Sequence, residues 1–225
     1  MTTYRFNPVL AALAALLLAG TAHAQSAGTL TGRLAVTRIA PDVTSGDLTA
    51  PSFAGTQADV TANTQPTGGL TWMLNDNIAV DLPLSVGFKH DLVGAGAIAG
   101  VGKIGEVKAL PISLLFQYRF MEPSAQFRPY LGAGPTYAKF YKARSTAALT
   151  SLTGGTPSNP TTLTIDSKLC LTVQAGVSFS VAPGWSVDVS VLKTALKTTA
   201  HLSTGQTMDV TLNPTVYTVG VGYQF

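Results

Sequence analysis

From residue 78 to residue 88 every even position is apolar (Ile78, Val80, Leu82, Leu84, Val86, Phe88), with Ala79, Asp81, Pro83, Ser85 and Gly87 between them. A helix would scatter those six side chains around its circumference, whereas a strand sets all of them on one face. The two-residue period returns at Leu110, Ile112, Leu114, Phe116, Tyr118 and Phe120. It appears again at Leu169, Leu171, Val173, Ala175, Val177 and Phe179, and at Tyr217, Val219, Val221, Tyr223 and Phe225. Each run is about 9–11 residues long, the span of a tilted strand that crosses a bilayer. Weaker runs at 30–36, 70–74, 131–137 and 185–191 bring the total to eight. An even number suits a closed antiparallel barrel.

The connections alternate in length. Short turns fall at 75–77, 121–126 and 182–184, and long ones at about 39–63, 90–105, 142–164 and 200–207. Short turns at one end and long loops at the other predict an eight-stranded antiparallel transmembrane β-barrel with periplasmic turns and four extracellular loops. Aromatic placement is an independent check. Trp72, Tyr118, Phe120, Phe127, Phe179, Trp185, Tyr223 and Phe225 gather near the short turns or the C-terminus, whereas Phe88, Tyr137, Phe140, Tyr141 and Tyr217 gather near the long loops. Bilayer interfaces select two such belts. A soluble β-sandwich with an aromatic core is the competing reading.

Composition separates the two. The chain of 225 residues is 46% hydrophobic and only 11% charged, against roughly 25% charge in an ordinary soluble domain. Its mean hydropathy is +0.29, yet the one long apolar run, residues 9–20, lies at the N-terminus. With Arg5 ahead of it and Ala22-His23-Ala24 behind, that run reads as an export signal spanning residues 1–24. Cleavage near Ala24 shortens the chain from 225 residues to 201, starting at Gln25, with 13 basic and 11 acidic side chains. So small an excess does not point to nucleic acid. Cys170 stands alone, and only His90 and His201 follow the signal, so no disulfide framework, metal cluster or cofactor is expected.

Four blocks carry a specific likeness: residues 75–90 (NDNIAVDLPLSVGFKH), 102–120 (GKIGEVKALPISLLFQYRF), 127–140 (FRPYLGAGPTYAKF) and 209–225 (DVTLNPTVYTVGVGYQF). Together they resemble the OmpW family of eight-stranded outer-membrane barrels, which includes AlkL-type alkane uptake proteins. The likeness extends over roughly residues 28–225. Departures are Gly68-Gly69, Pro135 in the fifth strand and an uncharged third loop. The resemblance implies a monomeric protein of a Gram-negative outer membrane, in contact with outer-membrane lipid and lipopolysaccharide. It implies entry of small hydrophobic ligands through a narrow apolar funnel, with sideways exit through the wall. It also implies that Tyr217, Val219, Val221, Tyr223 and Phe225 form the terminal signal read by the barrel-assembly machinery.

Strand parity nominates the lumen. If the apolar faces meet lipid, Asp81, Arg119, Arg128, Gln174 and Asp188 point inward. Asp81, Arg119, Arg128 and Asp188 lie close to short turns, and charges in so narrow a space must be paired. They are therefore expected to form an ion-pair plug, either merely holding the barrel together or closing its bottom so that a ligand leaves sideways. Pro111, Ser113, Leu115, Thr136, Thr172 and Leu192 are the expected upper-lumen lining. Prolines 83, 111, 129, 135 and 214 each remove a ladder donor. Pro83 and Pro111 fall on adjacent strands, and a break there would make a lateral opening.

No enzyme is indicated. Residues 97–103 lack the first glycine and following hydroxyl of a phosphate loop, no Gly-x-Ser-x-Gly elbow occurs, and His90-Asp91 has no triad setting. A structural or adhesive surface barrel, whose loops bind partners without transport, is the alternative to a passive channel.

Overall fold

The computed structural model describes residues 25–225, so the expected signal segment lies outside the described residues. In chain order the strands are β1 (Leu30–Ala40), β2 (Thr44–Ser45), β3 (Thr56–Val60), β4 (Asn63–Met73), β5 (Ile78–Leu84), β6 (Phe88–Gly96) and β7 (Lys103–Ser113). Then follow β8 (Leu115–Arg119), β9 (Phe127–Ser145), helix α1 (Ala147–Leu152), β10 (Leu163–Ile165) and β11 (Lys168–Ala182). The last four are β12 (Trp185–Ala195), β13 (Lys197–Leu202), β14 (Thr207–Thr211) and β15 (Thr215–Gln224).

Eight staves close antiparallel in the order β1-β4-β5-β8-β9-β11-β12-β15, with β15 returning to β1. Closure leaves no free edge, the condition for strands to cross lipid. The alternating apolar residues face outward. Leu34 is 79% exposed, Leu169 73% and Val86 72%, which in water would be an unsupportable apolar surface and in a bilayer is the solvated one.

The tracts expected as bare loops are largely ordered. Staves continue past the bilayer band as hairpins: the barrel sheet itself runs on through β9-β7-β6-β3, and β10-β13-β14-β2 form one separate four-stranded sheet. The hydrophobic core sits there and not in the barrel: Leu92, Ile104, Val107, Leu149, Leu196, Met208 and Leu212 belong to one buried cluster. Thr146 caps α1, its hydroxyl accepting the Leu149 N–H at 3.4 Å, and α1 lowers Leu149 and Leu152 onto that cluster.

The third and fourth staves, expected to be continuous, are both interrupted. The β5–β8 ladder ends at Asp81↔Leu115, and the β6–β7 ladder resumes only at Phe88↔Ala109. Between these rows residues 82–87 and 110–114 form no ladder pair with each other, although Pro83 still pairs with Gly69 and Pro111 with Ala138 on their other sides. The imide nitrogens of Pro83 and Pro111 cannot donate. The Leu114 carbonyl also turns against Gly134, where any Cβ would collide with it. The interruption shifts the phase of the third stave, so Phe88, expected on the lipid face, is 1% exposed and points inward. Phe140 likewise leaves its expected belt and packs on the core cluster.

Candidate functional site: a plugged lumen beneath an apolar chamber

At the short-turn end the lumen is filled by charge. Asp81, Arg119, Arg128 and Asp188 are all buried there, but the aspartates pair with a different cation from the two expected. Arg33 Nη2 lies 3.3 Å from Asp81 Oδ1, and Arg33 Nη1 lies 3.6 Å from Asp188 Oδ1. The Thr71 hydroxyl donates to Asp81 at 2.6 Å and the Tyr130 hydroxyl to Asp188 at 2.9 Å. Arg33 can lie across the lumen because its ladder neighbour is Gly69. A Cβ there would come within 2.8 Å of the guanidinium.

Arg119 and Arg128 are held by neutral groups instead. Arg119 donates to Gln25 Oε1 at 2.8 Å and to Gln117 Oε1 at 3.0 Å, and its guanidinium carbon stands 4.7 Å from the centre of the Tyr130 ring. Gln117 in turn donates to Gln174 at 2.9 Å. Arg128 donates to the backbone carbonyls of Gln25 at 2.8 Å and Asp76 at 2.6 Å. Gln25 therefore bridges both arginines and closes the end of the lumen. Arg33, Tyr130 and Gln117 extend the plug beyond the expected set. Parity could have placed all three inside, since Leu34, Leu131 and Phe116 beside them face out.

Above the plug runs a collar of hydroxyls. Ser113, Thr136, Thr172 and Thr194 form one chain of hydrogen bonds at 2.7, 2.6 and 2.8 Å, and Thr67, Thr37 and Thr218 form a second at 2.7 and 3.0 Å. The collar draws on every stave but the third, where Pro83 stands. Because the hydroxyls satisfy one another, they present little unmet polarity to the lumen.

Two cavities meet at this collar. The lower, about 70 Å³, is lined by Arg33, Pro83, Leu84, Phe88, Pro111, Ser113, Thr136, Thr172 and Leu192, among others. The upper, about 140 Å³, sits within the core cluster and is lined by residues such as Leu92, Ile104, Leu149, Leu196, Met208 and Val210. Ile39, Pro111, Thr136 and Thr194 line both. Of the expected upper-lumen residues, Leu115 departs from the set. It pairs with Asp81 at plug level and lines neither cavity. His90 is buried beside the upper cavity, its Nδ1 2.7 Å from the Thr61 carbonyl oxygen. Asp91 instead turns to Lys103 at 2.7 Å, so the two neighbours make no catalytic pair. Cys170 donates to the Thr136 carbonyl at 3.1 Å. No group of three or more His, Cys, Asp or Glu that could hold a metal ion occurs among the described residues.

The last stave, with Tyr217, Val219, Val221, Tyr223 and Phe225, pairs with β1 and β12 and closes the barrel. The Phe225 N–H donates to the Leu30 carbonyl at 2.8 Å. A closed eight-stranded wall, a lipid-facing apolar band and a lumen stopped by charge define an outer-membrane β-barrel. Within that class, residues 26–225 match the OmpW family model, and the chain belongs to that family. It is 33% identical over 212 residues to outer membrane protein W of Escherichia coli (strain K12), covering 93% of this chain and 94% of that one. Outer membrane protein W of Vibrio cholerae serotype O1 is 31% identical over 76% of this chain and 78% of its own. The crystal structure of the outer membrane protein OprG from Pseudomonas aeruginosa matches with a TM-score of 0.79 at 26% identity, covering 89% of this chain and 97% of that one.

Proposed function

We propose that this barrel is a passive route by which small hydrophobic molecules enter the outer membrane, passing from the upper chamber through the collar and out sideways between the third and fourth staves. The observation that carries this reading is the continuity of three features. An apolar chamber shares its floor with a second cavity, that cavity borders the unpaired seam at Pro83 and Pro111, and the way below it is stopped by Arg33 and its partners. A cavity of roughly 150 Å³ lined by aliphatic side chains accepts benzene, so the chamber suits one aromatic ring or a short hydrocarbon at a time. No step consumes energy, because the passenger moves from water to lipid down its own transfer gradient.

The test uses vesicles whose outer leaflet is lipopolysaccharide, through which apolar solutes pass slowly. The folded protein should speed entry of a naphthalene-sized fluorescent hydrocarbon. Replacing both Pro83 and Pro111 by valine restores two ladder donors at the seam and should slow that entry with the barrel still folded. Entry no faster than in protein-free vesicles would overturn transport altogether and leave a surface barrel whose loops bind partners. Fast entry unaffected by the valines would move the exit away from the seam.

A further inference from the structure

The outward-facing charges are sorted by end. Arg33, Arg119 and Arg128, the basic residues of the lower barrel, are all buried inside it. The other ten basic residues after position 24 (Arg38, Lys89, Lys103, Lys108, Lys139, Lys142, Arg144, Lys168, Lys193, Lys197) are exposed or half-buried and lie towards the loop end. The exposed charges near the short turns, Asp76 and Glu122, are acidic.

Six of the ten concentrate on the outer face of β6, β7 and β9. Register places Lys89 opposite Lys108, Lys108 opposite Tyr141, and Lys139 opposite Leu110. One row nearer the bilayer centre, Ile112 faces Tyr137, both exposed on the apolar band, so the lysines begin where the hydrocarbon face ends. One row further out, Asp91, Glu106 and Arg144 lie side by side. The two acids are already engaged, Asp91 by Lys103 at 2.7 Å and Glu106 by Lys89 at 2.8 Å and Lys103 at 2.9 Å. Lys108, Lys139, Lys142 and Arg144 are in no ion pair among the described residues. With six basic groups (Lys89, Lys103, Lys108, Lys139, Lys142, Arg144) against two acidic ones (Asp91, Glu106), the patch carries a net charge of +4.

Glu106 already answers Lys89 at 2.8 Å, which leaves Lys108, Lys139, Lys142 and Arg144 as neighbouring like charges that repel one another across the ladder unless an anion comes between them. Their position at the edge of the apolar band means that the anion belongs to a molecule whose tails share the bilayer. We propose that this patch is a binding site for the phosphorylated headgroup of a glycolipid in the leaflet at the loop end, held by Lys89, Lys108 and Lys139 with Lys142 and Arg144 above. Its tails would lie along Ile112 and Tyr137. The proposal is independent of transport.

The experiment titrates the detergent-refolded protein with a diphosphorylated lipid A and with the same lipid stripped of phosphate, and counts bound lipid by native mass spectrometry. At roughly 1 kcal/mol for each basic group near an anionic lipid surface, K108E/K139E should weaken the phosphorylated lipid by at least about tenfold. K108R/K139R should retain binding, and R38E/K193E, an equal charge change on the β1 and β12 side of the rim, should cost less than about twofold, because the attraction falls off within a Debye length. Folding is checked in every variant by heat-modifiable electrophoretic mobility. Equal binding of the phosphate-free lipid, an equal loss in R38E/K193E, or full displacement by millimolar inorganic phosphate would each overturn the site.

Discussion

Replacing Arg33 by methionine tests the plug most directly. The substitution keeps an unbranched side chain beside Gly69 but removes the one cation within ion-pair distance of both buried aspartates among the described residues. Charges 3.3 and 3.6 Å apart attract by roughly 5 kcal/mol each at an effective dielectric constant near 20. Most of that gain is offset by the cost of taking three ions out of water. What remains measurable is the penalty of stranding Asp81 and Asp188, about 3–5 kcal/mol when one partner of a buried pair is lost. Urea unfolding in phospholipid vesicles, followed by the fluorescence of Trp72 and Trp185, should report a loss of that size. Adding D81N and D188N to R33M removes the stranded charges and should recover most of it. Arg119 is held by Gln25 and Gln117 without an ion pair, so R119M should cost less, about 1.5–3 kcal/mol for hydrogen bonds to a charged group. A loss below about 1 kcal/mol in R33M, or no recovery with the neutral asparagines, would refute the assignment of Arg33 as the charge that holds the plug.

Two further outcomes follow from the loop end and the terminus. Lys89 and Lys103 hold the Glu106 carboxyl down from its ordinary value of 4.5 to about 2. Because the folded-state value is depressed, the stabilisation is present above the unfolded value near 4.5 and is lost as pH falls towards about 2. Amide protection of the β6–β7 hairpin, corrected for intrinsic rates, should drop across that window in the wild type and lack the step in E106Q; identical profiles would sink the assignment. At the C-terminus, Phe225 is half exposed and touches Tyr223 edge-on at 5.2 Å. F225A should therefore cost refolding into micelles less than about 1 kcal/mol, as surface truncations do, yet lower the folded protein recovered from outer membranes several-fold. Unchanged membrane levels would remove Phe225 from the assembly signal.

How much of this was legible depended on whether a property was local. The two-residue period is a backbone property, so the strong runs place Val173, Val219 and Phe116 on the lipid face, and the weaker run at 185–191 places Asp188 inside, without any knowledge of neighbours. The same parity placed Arg33 inside as surely as Asp188. What β1 alone does not carry is the space for its side chain: the Gly68-Gly69 departure that makes room for the guanidinium lies on a different stave. Phase is where local reasoning failed. Counting alternate residues from Ile78 to Phe88 assumes an unbroken strand, and Pro83, Ser85 and Gly87 interrupt it, so Phe88 turned from the belt into the lumen. The chamber was least legible. Leu92, Leu149, Leu196 and Met208 come from separate tracts, too short or too rich in small residues to show a period, and only the stacking of hairpins above the barrel brings them together. Those tracts differ physically from the wall below them. A wall strand must bury nothing on its outer face because lipid does so, whereas a hairpin beyond the bilayer must find a protein partner for its apolar side. The partner it finds is the opposite hairpin, and the space left between them is the chamber. In this barrel the candidate site is thus a consequence of staves that outgrow the membrane, and shortening them would remove the chamber while leaving the plug in place.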